Sequence, residues 1–262
     1  MVDRHPVDVS IISPVHNEEM TLVPLVERTV AVMEKYPHIG GWEHILVDDG
    51  STDNTWRIMQ DLQTRFPNYI RLEQHTSRQG QRRGYMTGFR QARGWLSVLM
   101  DADLQVLPEE LPLVLDKAIL DGYEMVCTYS DQTRGGKHRG MVSYIGNVIF
   151  MKLFFNSPVR DATANFMAVQ TRYLRGVELI DNDQRYILPI AMRRGLKKIG
   201  EVGCVFETRQ YGKSKYQKWK KMLQGIPEMI ILKRRIASGF YDEPTPEALV
   251  TPAPAMAQST GK

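Results

Sequence analysis

The sequence predicts an α/β fold in which a mainly parallel central sheet is flanked by helices. Along residues 7–128, short apolar runs rich in β-branched residues alternate with segments of helical period. This alternation is typical of a parallel sheet with right-handed crossover helices. Polar and acidic clusters directly follow three of the apolar runs, and open α/β sheets bind ligands at the carboxyl ends of their strands. The same pattern therefore predicts both the fold class and the place of a site.

The apolar runs are the predicted strands: residues 7–15, 44–47, 69–73, 95–100 and 125–128. The second run has no exposed face by its pattern, so we expect it to be buried on both sides. The segments between the strands are the predicted helices: residues 17–36, 55–66, 80–93 and 111–121. The first helix has one stripe of core-facing side chains at helical spacing, namely Leu22, Leu25, Val26, Thr29, Val30 and Met33. The second follows Asp53 and Asn54, either of which is a suitable N-cap.

The second half of the chain is less regular. We predict helices over residues 141–155 and 183–194, and strands over residues 164–170 and 198–206. Residues 209–235 hold nine basic residues and one acidic residue, interleaved with aromatic and apolar ones, and we expect Pro227 to interrupt any helix there. The last stretch is rich in Pro, Ala and Thr and is a predicted disordered tail. The chain thus divides into a folded domain (1–216), a basic amphipathic segment (217–240) and a tail (241–262).

Composition excludes several classes of protein. The 262 residues are 42% hydrophobic and 24% charged, as in ordinary globular domains and unlike collagen or coiled coils. Cys127 and Cys204 are not in a C-x-x-C pair, which disfavours a zinc ribbon or a disulfide scaffold and fits a reducing compartment. The sequence has neither a leader peptide pattern nor an apolar run long enough for a membrane span. The net charge of +4 fits an anionic ligand or an anionic surface; we expect no nucleic-acid partner.

Motifs of other nucleotide-binding and hydrolytic enzymes are missing. The chain has no G-x-x-x-x-G-K-[ST] and no G-x-G-x-x-G after a predicted strand, which argues against P-loop, kinase and dinucleotide-oxidoreductase chemistry. It also has no G-x-S-x-G or H-E-x-x-H.

The acidic cluster at residues 101–105 is the strongest chemical signal. Asp101 and Asp103 come directly after the apolar run WLSVLM with no Lys or Arg close by in sequence, and buried carboxylates are costly unless something pairs with them. Alternation along an extended chain puts both on one side. Two carboxylates and the amide of Gln105 suit a hard divalent ion, Mg²⁺ or Mn²⁺; a solvated loop is the alternative. An acidic metal site in a basic protein suggests a nucleoside diphosphate ligand.

These residues resemble the family 2 glycosyltransferases of GT-A fold. Within that family the chain is most similar to dolichol-phosphate mannose synthase and related polyprenyl-phosphate sugar transferases. The blocks that carry the resemblance are SPVHNEE (13–19), ILVDDGSTDNT (45–55), SRQGQRRGYMTGFRQARG (77–94), MDADLQVLPEELP (100–112), DATANFMAVQ (161–170) and GEVGCVFETRQYGKSKY (200–216).

The resemblance implies a role for each matched position. The donor-binding residues would be Pro14, Asn17, Glu18, Asp49, Asp101, Ala102 and Asp103. The metal would be held by Asp101, Asp103 and Gln105, and the catalytic residues would be Asp103, Arg209 and Lys213. The acceptor phosphate would meet Arg134, Lys137, Arg139, Ser143, Arg209 and Ser214.

The expected activity is inverting transfer of a hexose, mannose or glucose, from a GDP- or UDP-sugar to a polyprenyl or dolichyl phosphate. The sequence leaves two alternatives open. The same donor chemistry could serve a glycan, protein or small-molecule acceptor, with Asp161 as a general base, or the chain could be an inactive sugar-nucleotide-binding subunit.

The expected location is the cytoplasmic membrane face. Residues 218–235 are basic at both ends and apolar between, which suits a segment lying in a membrane interface; packing on the core is the alternative. Residues 141–155 could cradle a lipid tail or belong to the core. The resemblance also implies a possible small membrane partner subunit.

Overall fold

The computed structural model describes residues 7–131, 133, 151–161, 163–207 and 218–242, with backbone alone over 218–226. Seven strands form one sheet: β1 (Val9–Val15), β2 (Trp42–Asp48), β3 (Ile70–Gln74), β4 (Leu96–Leu99), β5 (Met125–Ser130), β6 (Met167–Gln170) and β7 (Ile199–Cys204). The α-helices with defined bounds are α1 (Leu22–Met33), α2 (Thr55–Arg65), α3 (Gln81–Gln91), α4 (Leu111–Ile119), α5 (Ile187–Arg193) and α6 (Lys218–Ala237). Residues 151–155 are also helical.

The sheet is mixed but mainly parallel. Its strand order is β3-β2-β1-β4-β6-β5-β7. The pairs β1–β2, β1–β4, β2–β3 and β5–β7 are parallel, and β6 runs antiparallel to both of its neighbours. The predicted α/β class is confirmed, and the reversed direction of β6 is a feature that the alternation pattern did not predict.

The sheet separates two apolar cores. Alternate residues of the central strands face opposite sides, so that Ile11 belongs to the core that includes residues of α1, α2 and α4, and Ile12 to the core that includes residues of α3, α5 and α6. All seven residues of β2 are buried, and the six side chains of the predicted α1 stripe are buried as well. Burial on both faces explains why the central strands read as continuous apolar runs.

Two helix starts differ from the predictions. Helix α1 begins at Leu22 rather than at residue 17, because the amide of Glu18 donates to the Thr55 hydroxyl at 2.9 Å and residues 16–19 belong to a loop. The helix predicted over 183–194 opens with a 3₁₀ turn (Asp183–Tyr186) before α5. At α2 the amide of Thr55 donates to Asp53 Oδ1 at 3.0 Å, so Asp53 supplies the capping carboxylate.

Helix α6 continues through Pro227, which corrects the expected interruption. Proline removes one backbone hydrogen bond, and the apolar contacts of Met229 and Leu232 with the core around α3 and α5 hold the helix in place. The residues after α6 also pack: Tyr241 is buried and donates to Asp183, and Asp242 pairs with Arg193 at 2.5 Å. Residues 241 and 242 of the predicted tail therefore make contacts with the folded part of the chain, and the rest of that tail lies outside the described residues.

The predicted helix over residues 141–155 is described only at its end, where residues 151–155 are helical. The other ten residues lie outside the described part of the chain. No helix within the described ranges is both long enough and apolar enough to cross a bilayer.

The buried His44 on β2 gives a testable dependence of stability on pH. Burial lowers its pKa to about 3, and its Nε2 lies 2.9 Å from Ser13 Oγ. Between pH 6.5 and 3 the imidazole is protonated in the unfolded chain but not in the folded chain. The contribution of this group to the free energy of unfolding is therefore fully present above the unfolded pKa and is lost as the pH falls. Between pH 7.5 and pH 5 this single group should lower the free energy of unfolding by about 2 kcal/mol.

Urea unfolding of the wild type, of His44→Gln and of a control variant at exposed His38 measures this effect at both pH values. We expect the drop to shrink by about 2 kcal/mol in His44→Gln only. Equal drops in all three proteins would contradict a neutral buried His44.

Candidate active site

A cleft of about 290 Å³ lies at the carboxyl ends of β1, β2 and β4. It is lined by Pro14, Val15, His16, Glu18, Asp49, Arg78, Gln81, Asp101, Ala102 and Asp103. The structure thus brings together six of the seven predicted donor-binding residues. The seventh, Asn17, lies next to the cleft without lining it. Sequence reasoning missed His16, Arg78 and Gln81.

Asp101 is held by neutral donors from two other elements. Its Oδ1 accepts hydrogen bonds from Gln81 Nε2 and the Tyr85 hydroxyl, both at 2.7 Å, and its Oδ2 accepts from Asn165 Nδ2 at 2.9 Å. Burial, and then the Asp101 carboxylate itself, keep the pKa of Tyr85 well above its ordinary value, so the hydroxyl stays protonated and donates. Gln81 and Tyr85 are four residues apart on α3 and share one helix face, a spacing that could have identified them as partners.

Asp103 is buried on the cleft wall and stabilises its own loop. Its Oδ1 accepts from the Gln105 amide at 3.1 Å, across Leu104, which has a positive φ of 55°. The Gln105 carbonyl accepts from the Glu207 amide at 2.7 Å, and the neighbouring Val106 pairs with Phe206 in an antiparallel bridge. Backbone hydrogen bonds therefore hold the acidic loop against residues 206 and 207, which follow β7.

The carboxylates of the cleft fit a hard divalent ion in the chemistry of their donor atoms. Asp101 and Asp103 both line the cleft, and Gln105 does not. Within the described residues, no three acidic, histidine or cysteine side chains converge as a complete protein-built metal site. Mg²⁺ is commonly bound by one or two carboxylates, with its other ligands supplied by water and a bound phosphate. Two carboxylates are therefore enough protein ligands for such an ion. The assignment of Asp101, Asp103 and Gln105 as metal ligands stays a prediction.

The loops after β1 and β2 are bonded to each other. Asn17, in the left-handed region at φ 55°, accepts from the Thr52 amide at 2.8 Å with Oδ1 and donates its own amide to Ser51 Oγ at 3.0 Å. Glu18 faces the cleft, and its Oε2 accepts from the Thr21 hydroxyl at 2.7 Å. Asn17 thus joins two loops, and Glu18 presents a carboxylate at their junction.

Asp49 lines the cleft and also holds a third loop, residues 77–80. Its two oxygens accept from the amides of Gln79 and Gly80, both at 2.7 Å, and Oδ1 lies 3.0 Å from His75 Nδ1. These two backbone donors satisfy a carboxylate that is buried from water. The loop after β3 is thereby fixed over the end of β2, and Arg78 reaches the cleft.

The remaining predicted site residues fall outside the described part of the chain: Arg134, Lys137, Arg139, Ser143, Arg209, Lys213 and Ser214. Asp161 is described and forms a turn, since its Oδ1 accepts from both the amide and the hydroxyl of Thr163 at 3.0 and 2.9 Å. This contact is the structural role that an aspartate before a short turn commonly has.

Comparison with known proteins decides the family. The model of the glycosyl transferase family 2 matches residues 10–175 of the chain. The chain belongs to this family. The resemblance inferred from the sequence blocks is therefore confirmed, and so is the GT-A fold.

Two curated proteins that are similar to this chain are polyprenyl-phosphate sugar transferases by name. The undecaprenyl-phosphate 4-deoxy-4-formamido-L-arabinose transferase of Pectobacterium atrosepticum is 31% identical over 217 residues, which cover 80% of this chain and 62% of that protein. The dolichol-phosphate mannosyltransferase of Pyrococcus furiosus is 29% identical over 217 residues, covering 79% of this chain and 58% of that protein. The chain thus spans about three fifths of the length of these relatives.

A solved structure agrees with the architecture of this fold. The Mycobacterium tuberculosis glucosyl-3-phosphoglycerate synthase, crystallised with Mn²⁺, uridine-diphosphate-glucose and phosphoglyceric acid, superposes with a TM-score of 0.64 at 15% identity. The match covers 87% of this chain and 79% of that chain. At this identity the likeness concerns the fold.

Gly50 tests the contact between the second and third loops. Its φ is +64°, and a Cβ there would lie 2.6 Å from the carbonyl carbon of Ser77. Gly122 has a similar φ of +68°, but the nearest atom to its added Cβ is Lys198 Nζ at 3.5 Å. Gly122→Ala should cost about 1–2 kcal/mol from the left-handed backbone alone, and Gly50→Ala should cost clearly more because backbone must move.

Urea unfolding of the two variants measures the difference. A loss in Gly50→Ala no greater than in Gly122→Ala would show that residues 77–78 do not press against Gly50.

Proposed function

We propose that this protein is an inverting glycosyltransferase that moves a hexose from a nucleotide-diphospho-sugar to a polyprenyl phosphate. The observation that carries the proposal is the Asp101-Ala102-Asp103 loop, which lines a cleft at the carboxyl edge of the sheet and is bonded to the chain leaving β7. The acceptor class is supported by the two relatives above, whose names contain undecaprenyl phosphate and dolichol phosphate. We expect mannose or glucose as the sugar, with GDP or UDP as its carrier.

Different carboxylates of the cleft would bind different parts of the donor. Asp101 and Asp103 would hold Mg²⁺ or Mn²⁺, and the ion when bound neutralises diphosphate charge and lowers the barrier to its departure. Glu18 and the loop held by Asp49 would meet the ribose and base. Hard oxygen donors at the cleft support the ion, as does the Mn²⁺ bound with a nucleotide sugar in the structural neighbour.

The basic residues after β7 would meet the leaving diphosphate. The Glu207 amide lies 2.7 Å from the Gln105 carbonyl, and Arg209 is two residues further on, a chain path of about 7 Å. We expect Arg209 and Lys213, which follow Glu207 by two and six residues, to stabilise charge that develops in the transition state. A group of this kind affects turnover more than ground-state binding.

The reaction needs little proton transfer. An oxygen of the acceptor phosphate attacks the anomeric carbon opposite the leaving group, the new C–O bond forms as the bond to the diphosphate breaks, and the configuration inverts. The attacking oxygen is already anionic at neutral pH, so no general base is required. Arg134, Lys137, Arg139, Ser143 and Ser214 are the proposed partners of the acceptor phosphate. An alcohol acceptor would need a general base, and Asp161 would then be the candidate for that role.

A transfer assay tests this proposal. Purified protein receives Mg²⁺ or Mn²⁺, a short polyprenyl phosphate and a panel of GDP- and UDP-sugars, and mass spectrometry reads the lipid product. We expect a lipid-phosphate hexose from the wild type and a loss of at least about 100-fold in Asp103→Asn, because a metal ligand is removed without changing shape. Asp121→Asn is the matched control, since Asp121 is an exposed surface aspartate.

Two results would contradict the proposal. Release of nucleotide without a lipid product would point to another acceptor, and full activity of Asp103→Asn would remove the metal assignment.

A membrane surface is the proposed location, on its cytoplasmic face. Leu153, Ile230 and Ile231 are 71%, 39% and 44% exposed, and Lys233 Nζ lies 5.7 Å from the centre of the Phe154 ring. This contact brings residues 151–155 and α6 to the same side of the molecule. Exposed apolar side chains beside lysine suit the interface of an anionic bilayer.

Liposome flotation tests the proposed location. Wild type should float with phosphatidylserine-containing vesicles, and a Leu153→Asp, Ile231→Asp double variant should bind about tenfold or more weakly, because two charges would enter the interface. Leu120→Asp controls for added charge at another exposed leucine, which is 55% exposed. Equal flotation of all three proteins would place the membrane contact elsewhere.

A further inference from the structure

His75 connects the donor cleft to helix α3 without lining the cleft. Its Nδ1 lies 3.0 Å from Asp49 Oδ1, and its Nε2 lies 3.0 Å from the Thr87 hydroxyl on α3. Among the described residues that line the cleft, neither His75 nor Thr87 occurs. Arg90 completes the chain by donating from its Nη2 to Thr87 Oγ1 at 3.1 Å.

One assignment of donors and acceptors satisfies every group of this chain of hydrogen bonds. A guanidinium only donates, so Thr87 accepts from Arg90 and has its own hydroxyl hydrogen available for His75 Nε2. With the hydroxyl donating to Nε2, the ring proton lies on Nδ1 and is donated to Asp49. Each polar group in the sequence Arg90, Thr87, His75, Asp49 then has a complementary partner.

The connectivity resembles a nucleophilic triad, but the positions argue against that role. Thr87 is 9% exposed and lies on the core-facing side of α3, between Met86 and Gly88, which are also buried. A nucleophile must reach its substrate within hydrogen-bond distance. The chain of contacts ends instead at Asp49, whose other two bonds fix the amides of Gln79 and Gly80.

We infer that His75 is a positioning residue for donor binding, which, with Thr87, orients the Asp49 carboxylate and thereby fixes the loop of residues 77–80. Arg78 lies within that loop and lines the cleft, so the position of a cationic side chain next to the donor depends on a threonine behind it. Preorganised side chains bind ligands better because less freedom is lost on binding. The inference rests on the proposed function for its ligand, a nucleoside diphosphate.

Four variants separate this positioning role from general stability. Thr87→Val removes the hydroxyl while keeping the shape, and His75→Phe removes both ring nitrogens. Thr87→Ser keeps the hydroxyl, and His75→Asn keeps an N–H donor near the place of Nδ1. The readouts are hydrogen exchange of the Gln79 and Gly80 amides without ligand, the Kd for GDP and UDP with Mn²⁺, and the donor KM and kcat.

We expect Thr87→Val and His75→Phe to speed exchange at both amides and to raise the Kd and KM about tenfold, with kcat within about twofold. One hydrogen bond to a charged group corresponds to a change of this size. Thr87→Ser and His75→Asn should stay within about twofold of the wild type. Thr87→Val replaces only a hydroxyl by a methyl group of similar size. It therefore still tests the inference if His75→Phe does not fold.

Unchanged exchange and unchanged affinity in Thr87→Val would overturn the inference, as would equal effects in Thr87→Val and Thr87→Ser. A fall in kcat at constant KM would also overturn it. A wild type that binds neither GDP nor UDP overturns the proposed function and the donor part of this inference; the exchange measurement tests the loop contact separately.

Discussion

Carboxylates at the carboxyl edge of a parallel sheet need internal donors, and the arrangement of this domain depends on how they obtain them. Asp49 and Asp101 follow β2 and β4, whose residues are all buried. A carboxylate in such a place is costly unless hydrogen bonds replace those of water. The donors are backbone amides and neutral side chains from the loop after β3, from helix α3 and from the segment before β6.

This requirement also builds the cleft. Each of these carboxylates accepts hydrogen bonds from a second segment and so holds that segment over the end of its strand. Loops far apart in sequence are therefore held at one edge of the sheet. Asp49 fastens residues 79–80, and Asp101 joins Asn165 to helix α3. The acidic loop at Asp103 is fastened in turn to the chain leaving β7 through Gln105. The chain's own hydrogen bonds therefore hold the walls of the cleft, which suits a site that must recognise charge.

Local patterns predicted the elements well, and non-local contacts account for what was missed. The α1 stripe, the two-sided burial of β2 and six cleft residues followed from periodicity, strand ends and the resemblance. His75 and Asn165 were missed because their partners are 26 and 64 residues away. The direction of β6 and the continuation of α6 through Pro227 likewise depend on tertiary packing, which outweighs local propensity.

The most direct test of the central claim is a crystal structure of the protein with Mn²⁺ and GDP or UDP, with the ion located by its anomalous signal. We predict a manganese peak within coordination distance of Asp103 and a diphosphate beside it in the cleft at the ends of β1, β2 and β4. Nucleotide bound elsewhere, such as in the groove lined by Arg28 and Tyr36 on the α1 side, would contradict the account. So would manganese held away from Asp103.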